Sequence, residues 1–525
     1  MKRIVFLVVA ALLVMGLVLP GCGGDGGNGD GDGNGNGEPD TRPPITFAIT
    51  HAMTDVTGIN AWAGAEMARD EINAGAGVNV GGTYHKIALV QVDTNEVVGS
   101  PDEGVTALQA VIDDVDIVAG GFRTEKVTVY REVAMDAQKL MMCVGAATGA
   151  LQGSVVSDYD RYKYWFKITP YNEYFLASSL FRIVGTFTDQ LKDALIAEGD
   201  DVDPAYKIGA ADKVKVALIA ENAVWCAGLV SVLQGKIMTS GYTTLVGTWI
   251  VSPTATDISA ELTDIETKHP HLIMPVFSGP AGITYSVQKV DLGIPSMSIG
   301  INVPVQVKSA WSDTAGKCQG EILLDTWADG VTQTSKTKDF FDVFVAKTDD
   351  YPGYTAATYD TILSLQVAIE AVSADNGWTD IATVVDPANI DALIQYIETH
   401  PYTGCVGTTS YFPMPEITVG GGVYALSEAQ VRAIYPDLDT YEQTDWLVNP
   451  AACMQGPYLA HDYAYGPGLQ TGLGSQWQDG TKVGVWPIDL GDEYDEDLTD
   501  QYGCWNFEFS GTTDVLILID GFLLS

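Results

Sequence analysis

The chain has 525 residues, 46% of them apolar and 10% aromatic. That exceeds what one compact core holds and excludes a wholly disordered polymer. With 27 Lys and Arg against 68 Asp and Glu, the formal net charge is −41, which excludes nucleic acid as a partner, because phosphate binding needs clustered cations.

Lys2 and Arg3 precede an apolar run, Ile4 to Leu19, broken only by Gly16. The run is short for a membrane span of about 20 residues and is built like a secretory signal peptide, so residues 1–21 are expected to be removed. The run ends Leu19-Pro20-Gly21-Cys22. This is similar to a lipobox and makes Cys22 the expected lipidation site. Residues 22–44 are dominated by Gly, Asp and Asn, cannot bury apolar area, and predict a flexible tether of roughly 25 Å reach. The stretch from Asp30 to Asn34 resembles the start of a calcium loop, but its twelfth position is Thr41, where a Glu is required. No metal is expected there. The mature protein is therefore expected outside the cytoplasm, lipid-anchored to the outer face of the cytoplasmic membrane, or periplasmic.

Beyond the tether, strand and helix patterns alternate. Strands are predicted over 45–50, 86–92, 115–119 and 140–144, with helices over 58–73, 102–113 and 125–138. The pattern restarts with a long helix over 171–198, strands over 213–220, 244–251, 271–277 and 296–300, and helices over 225–240, 258–268 and 281–292. Two successive blocks of this kind predict an α/β chain with two doubly wound, Rossmann-like lobes. Later helices carry core stripes at Ile362, Leu365, Ile369 and Val372, and at Ile390, Leu393, Ile394 and Ile397. From Thr403 the composition turns to Gly, Pro and aromatic residues, and 514–524 reads as a closing strand-like run.

If Cys22 carries lipid, Cys143, Cys226, Cys318, Cys405, Cys453 and Cys504 remain, enough for up to three disulfides in an oxidising compartment. The late trio is expected to supply at least one.

Several ordered markers then carry a resemblance. They are Ile45 to Thr50 with Thr54 to Gly58, Asp70-Glu71-Ile72-Asn73, the strand ending at Asp93, Gly120-Gly121, Asp257 to Leu262, Tyr359-Asp360, Tyr402 to Gly407 with Phe412, and later Gly474 to Gly480 and Val485-Trp486-Pro487. In that order they resemble the type I periplasmic-binding proteins, in the leucine/isoleucine/valine-binding branch of ABC importer receptors. The resemblance implies two lobes joined by a three-strand hinge. Lobe 1 is assigned to 45–168 and 303–402, and lobe 2 to 169–302 and 403–525, with an insertion at 413–473.

Ligands bind α/β sheets at the carboxyl ends of the strands. On the first lobe these rims carry Arg123, Thr124, Ala146, Ala147 and Thr148. The resemblance implies that such hydroxyls and helix-end amides hold a ligand carboxylate; ordinary helix capping is the alternative. Arg123 either meets a ligand acid or pairs with Glu125 or Glu132. On the second lobe the rims carry Trp225, Ser278, Gly279 and Asn302. Trp225 falls where the family places an aromatic over the ligand, or else packs in the core. Asn302 stands where amino-acid binders of the family place a carboxylate for the ligand's ammonium. An amide cannot neutralise that charge, so a carboxylate, amide or urea-like ligand fits as well as an amino acid, unless Glu221 reaches in.

No nucleophile elbow, zinc-protease signature or phosphate loop is present, so neither catalysis nor a cofactor is expected. The expected function is an extracytoplasmic solute-binding lipoprotein of an ABC importer. Its partners would be a small polar ligand, the permease and ATPase subunits, and the membrane through its anchor. The alternative is a ligand-sensing regulatory or receptor lipoprotein with the same fold.

Overall fold

The computed structural model describes residues 42–97, 99–411, 460–462, 470, 472–486, 508–509 and 516–524. The chain divides into Met1–Arg42 and Pro43–Ser525, and every element below belongs to the second. The signal segment, Cys22, Cys453, Cys504 and most of the 413–473 insertion lie outside the described residues.

Five strands form the first sheet: β1 (Ile45–His51), β2 (Ile87–Asp93), β3 (Ile117–Gly120), β4 (Met141–Val144) and β5 (Trp165–Thr169). All are parallel, in the order β2-β1-β3-β4-β5. The connections run through α1 (Val56–Ala74), α2 (Pro101–Gln109), α3 (Thr124–Asp136) and α4 (Ala150–Ser157). Strands β3, β4 and β5 are buried at every residue, as parallel strands covered on both faces must be.

After β5 the chain enters the second lobe through α5 (Glu173–Glu198), whose first amides are capped by the Asn172 side chain. There follow β6 (Val214–Glu221), α6 (Val224–Thr239), β7 (Thr243–Val251), α7 (Ser259–Glu266), β8 (Leu272–Phe277), α8 (Ala281–Asp291), β9 (Met297–Asn302) and β10 (Ile322–Asp325). The parallel order β7-β6-β8-β9-β10 repeats that of the first lobe. Two antiparallel strands, β11 (Leu473–Gln478) and β12 (Thr481–Trp486), extend it beyond β10. The chain returns to the first lobe in α9 (Thr337–Thr348), α10 (Thr358–Asn376) and α11 (Asp391–Thr399). Helix α10 packs on α1, with its Ile362, Leu365, Ile369 and Val372 stripe buried.

Two lobe assignments made from sequence are corrected. Residues 303–325 do not return to lobe 1, because β10 pairs with β9 in the second sheet. Residues 403–411 stay with lobe 1: the Asp360 carboxylate accepts from the amides of Cys405 and Val406, and Tyr411 stacks edge-on against Phe166. Residues 516–524 are not a strand; they contain a single 3₁₀ turn, Asp520–Phe522, and one bridge from Leu523 to Val202. Cys143, Cys226, Cys318 and Cys405 are all buried free thiols, so the expectation of a bridge fails for Cys405. Burial pushes the thiols of Cys143 and Cys318 up to about 12, which keeps them protonated and unreactive.

Strand β5 and helix α4 escaped the sequence pattern. Lys167 interrupts the apolar run of β5, yet it is fully buried, 3.6 Å from the Asp462 carboxylate.

Gly120 closes β3 with φ of +118°, and a Cβ there would lie 2.1 Å from the Thr50 carbonyl oxygen. Gly120→Ala is expected to cost about 1–3 kcal/mol, from left-handed strain and backbone overlap, read as a lowered midpoint in urea unfolding with an unchanged slope.

Candidate functional site

The carboxyl ends of both sheets open on one cleft of about 740 Å³, lined from the first lobe by Phe122, Arg123, Ala147 and Tyr354, and from the second by Leu176, Trp225, Ser278, Ile301 and Asp325. The first-lobe rim is tightly drawn. A Cβ on Gly145 would fall 1.8 Å from the Gly121 carbonyl oxygen, so the loops after β3 and β4 touch backbone to backbone.

Glu96 fixes the loop that carries Arg123. Fully buried, it accepts from the amides of Phe122 (2.8 Å) and Arg123 (2.5 Å), the Thr94 hydroxyl (2.7 Å) and the Tyr130 hydroxyl (3.0 Å). Burial raises its pKa, against the pull of these donors. His51 stacks on Phe122 with centroids 5.5 Å apart; burial lowers its pKa to about 3, so it is neutral.

Arg123 reaches across the cleft. Its Nη1 lies 3.0 Å from Glu221 Oε1 at the end of β6, and the two side chains are 3% and 0% exposed. This answers the expectation for Arg123: it pairs neither with Glu125 nor with Glu132, but with an acid of the other lobe. Glu221 also accepts from Trp225 Nε1 (3.2 Å), the Ser278 hydroxyl and the Gly279 amide (2.8 Å). Three of the second-lobe residues singled out from sequence therefore converge on one carboxylate. Arg123 Nε and Nη2 are buried without a partner.

The helix-end residues behave differently. Thr148 accepts from the Ala150 amide (3.3 Å) and donates toward Glu173 Oε1 (3.4 Å), while the Gly149 amide donates to Glu173 Oε2 (2.6 Å). The start of α4 thus faces a carboxylate that belongs to the protein. Thr124 opens α3 with its hydroxyl buried and unpartnered. Ala146 is buried beside Ala147, which lines the cleft. Asn302 turns away: its amide donates to the Gly282 carbonyl (3.1 Å), the Ser286 hydroxyl (3.3 Å) and Glu321 (3.4 Å) inside the second lobe. That corrects its expected place at the ligand.

Sequence reasoning missed Glu173, Glu96, Tyr354, Gln470 and Asp325. Asp325 Oδ2 pairs with Lys482 at 2.5 Å, both side chains being fully buried. Gln470 lines the cleft from within 413–473, where an insertion was expected. The signal that could have found these residues is an acid next to a strand end, as at Asp93 to Glu96 and Ile322 to Asp325. Tyr354 and Gln470 carry none. Among the described residues, no group of three or more His, Cys, Asp or Glu could hold a metal ion, and no helix is long and apolar enough to cross a membrane.

Residues 52–413 match a family model described as periplasmic binding protein. The chain belongs to the periplasmic binding protein family. No curated protein matches its sequence. Three solved structures illustrate the fold it shares. A branched-chain amino acid ABC transporter protein from Silicibacter pomeroyi is 18% identical with a TM-score of 0.56, over 85% of this chain and 97% of that one. The branched-chain amino acid substrate-binding protein of Streptococcus pneumoniae, in complex with isoleucine, is 18% identical with a TM-score of 0.54, over 70% and 91%. A solute-binding protein of Rhodopseudomonas palustris, in complex with benzoate, is 13% identical with a TM-score of 0.56, over 84% and 95%. This periplasmic binding protein therefore has the type I fold expected from its markers.

Two outcomes follow from the geometry. Arg123→Met leaves the buried Glu221 carboxylate without its cation and is expected to cost about 3–5 kcal/mol; Arg123→Met combined with Glu221→Gln should recover part of this in thermal melts. Burial raises the pKa of Glu321 from 4.5 to about 7. The folded state therefore binds this proton more tightly than the unfolded chain does. Its contribution to stability is fully present below about pH 4.5 and is lost as pH rises through about 7. Glu321→Gln should show a shallower fall in melting temperature than the wild type between those limits.

Proposed function

We propose that the protein is the solute receptor of an ABC importer, held at the membrane by lipid on Cys22, and that it captures a small carboxylate, amide or amino acid by closing its lobes. The observation that carries this reading is Arg123. It is buried in the interlobe cleft, holds the second lobe through Glu221, and keeps two nitrogens of its planar fork, Nε and Nη2, unpartnered. A buried guanidinium with spare donors is a strong acceptor-binding group.

Closure supplies the mechanism. A ligand that touches both rims gains its full contact energy only when the lobes meet, so it shifts the equilibrium toward the closed form. Permease subunits would then recognise that form. The walls of the cleft bind, orient and exclude water, and no nucleophile is asked to react. The signal segment and the Gly/Asp/Asn tether support a site of action outside the cytoplasm.

Small-angle scattering of the full chain tests the reading against a panel of amino acids, short carboxylates, amides and urea. At least one member should reduce the radius of gyration and raise the melting temperature by mass action. Unchanged dimensions at saturation with a bound ligand would remove closure, and with it the importer role.

A further inference from the structure

A second cavity, of about 520 Å³, lies in the first lobe beside β4 and β5, under α10, α11 and residues 402–411. No residue lines both this cavity and the interlobe cleft, so what it binds does not depend on the solute that the cleft takes. Its walls are mostly apolar or aromatic, at Met142, Ile168, Val367, Ile397, Tyr396 and Tyr411, and hold no Lys or Arg. His400, the one basic residue of the wall, stacks on the Tyr396 ring at 4.0 Å. Among the described residues, the exposed Val367 and His400 stand at the mouth.

One carboxylate is set into this apolar wall. Asp360 is 3% exposed. Its Oδ2 accepts from the amides of Cys405 (2.7 Å) and Val406 (3.2 Å), whereas its Oδ1 is buried without a partner. Burial raises its pKa to about 6, against the pull of those amides, the Cys405 thiol and the Lys336 charge, so above neutral pH the carboxyl is ionised. Lys336 is engaged elsewhere: its ammonium donates to the Thr403 carbonyl (2.8 Å) and the Tyr402 hydroxyl (3.4 Å). The Ser364 hydroxyl, also in the wall, donates to the Thr361 carbonyl (2.8 Å), which leaves its oxygen able to accept. The cavity thus offers acceptors and a negative charge, and a buried anion without a donor is costly until one arrives.

We propose that this cavity is a second binding site, for a small primary ammonium ion with a short apolar tail, anchored on Asp360 Oδ1. The Ser364 oxygen is a further acceptor for the ammonium, and the tail lies against Met142, Ile168 and Ile397. A carboxylate of the same size is refused by the charge on Asp360, and an alcohol leaves that charge unpaired. Asp360 also holds the Val406 amide, and Val406 lines the interlobe cleft, so both sites bear on one loop.

Calorimetry on the full chain at about pH 7.5 with n-butylammonium, 1-butanol and butanoate tests the site. Butylammonium should bind at least tenfold more tightly than either of the others. Asp360→Asn keeps an oxygen for the Cys405 and Val406 amides but loses the charge. Ser364→Leu keeps the carboxylate and fills the space beside it. Each should weaken butylammonium at least tenfold while a cooperative melt is retained, and Arg123→Lys, in the other cleft, should leave its affinity within twofold. Failure of butylammonium to bind, equal binding of the three solutes, or an affinity that survives Ser364→Leu overturns the site. So does a loss of binding in Arg123→Lys, which would place the amine in the interlobe cleft instead.

Discussion

The Arg123–Glu221 contact is the constraint on which the cleft depends. One partner comes from the loop after β3 of the first lobe and the other from the end of β6 of the second, and both are out of water. Two ions so placed are tolerated only when every remaining lone pair and proton finds a use. On the Glu221 side that condition is met at Oε1 by Trp225 and Ser278, and in part at Oε2 by the Gly279 amide. On the Arg123 side it is met only for Nη1 and the backbone amide, which Glu96 holds. The imbalance gives the cleft its chemistry: Glu221 takes four donors, while Nε and Nη2 of Arg123 have no partner.

The same rule recurs elsewhere in the molecule. Cations are scarce in this chain, with 27 Lys and Arg in 525 residues, yet Lys167 and Lys482 are also buried, opposite Asp462 and Asp325. Each sits where distant parts of the chain meet. Lys482 ties β12 to the end of β10, and Lys167 ties β5 to the far end of the insertion. Breaking one partner of such a pair is costly, so these pairs fix how the returning chain docks, whereas the excess of surface carboxylates governs solubility.

Much of this fold was legible in the sequence because both lobes obey one period. Apolar runs such as 140–144 and 271–277 could only be covered strands, and the stripe at Ile362, Leu365, Ile369 and Val372 could only face a core. The markers ordered them into a family plan. What stayed hidden depends on pairs far apart in sequence. β5 was unreadable because its central Lys167 is neutralised by Asp462, nearly three hundred positions away. The lobe boundary was misplaced because nothing local in Ile322–Asp325 says which sheet it joins. At the site, the sequence singled out Arg123, Trp225 and Ser278, which line the cleft. It could not show that Glu221 would answer them, since a carboxylate's partner is chosen by tertiary structure.

Strand β5 ends the first sheet, and an outermost strand offers bare amides to any other chain. Here the short stretch Ala460 to Asp462 lies against it: the Lys167 amide donates to the His461 carbonyl oxygen, and the His461 ring stacks on Phe166 at 3.8 Å. The cover arrives from outside the part of the chain that the family model spans. Such a shield matters because an uncovered border would let neighbouring molecules zip together through their backbones and drift toward fibrous clumps. Ala460 to Asp462 thus guards the border against that kind of pairing.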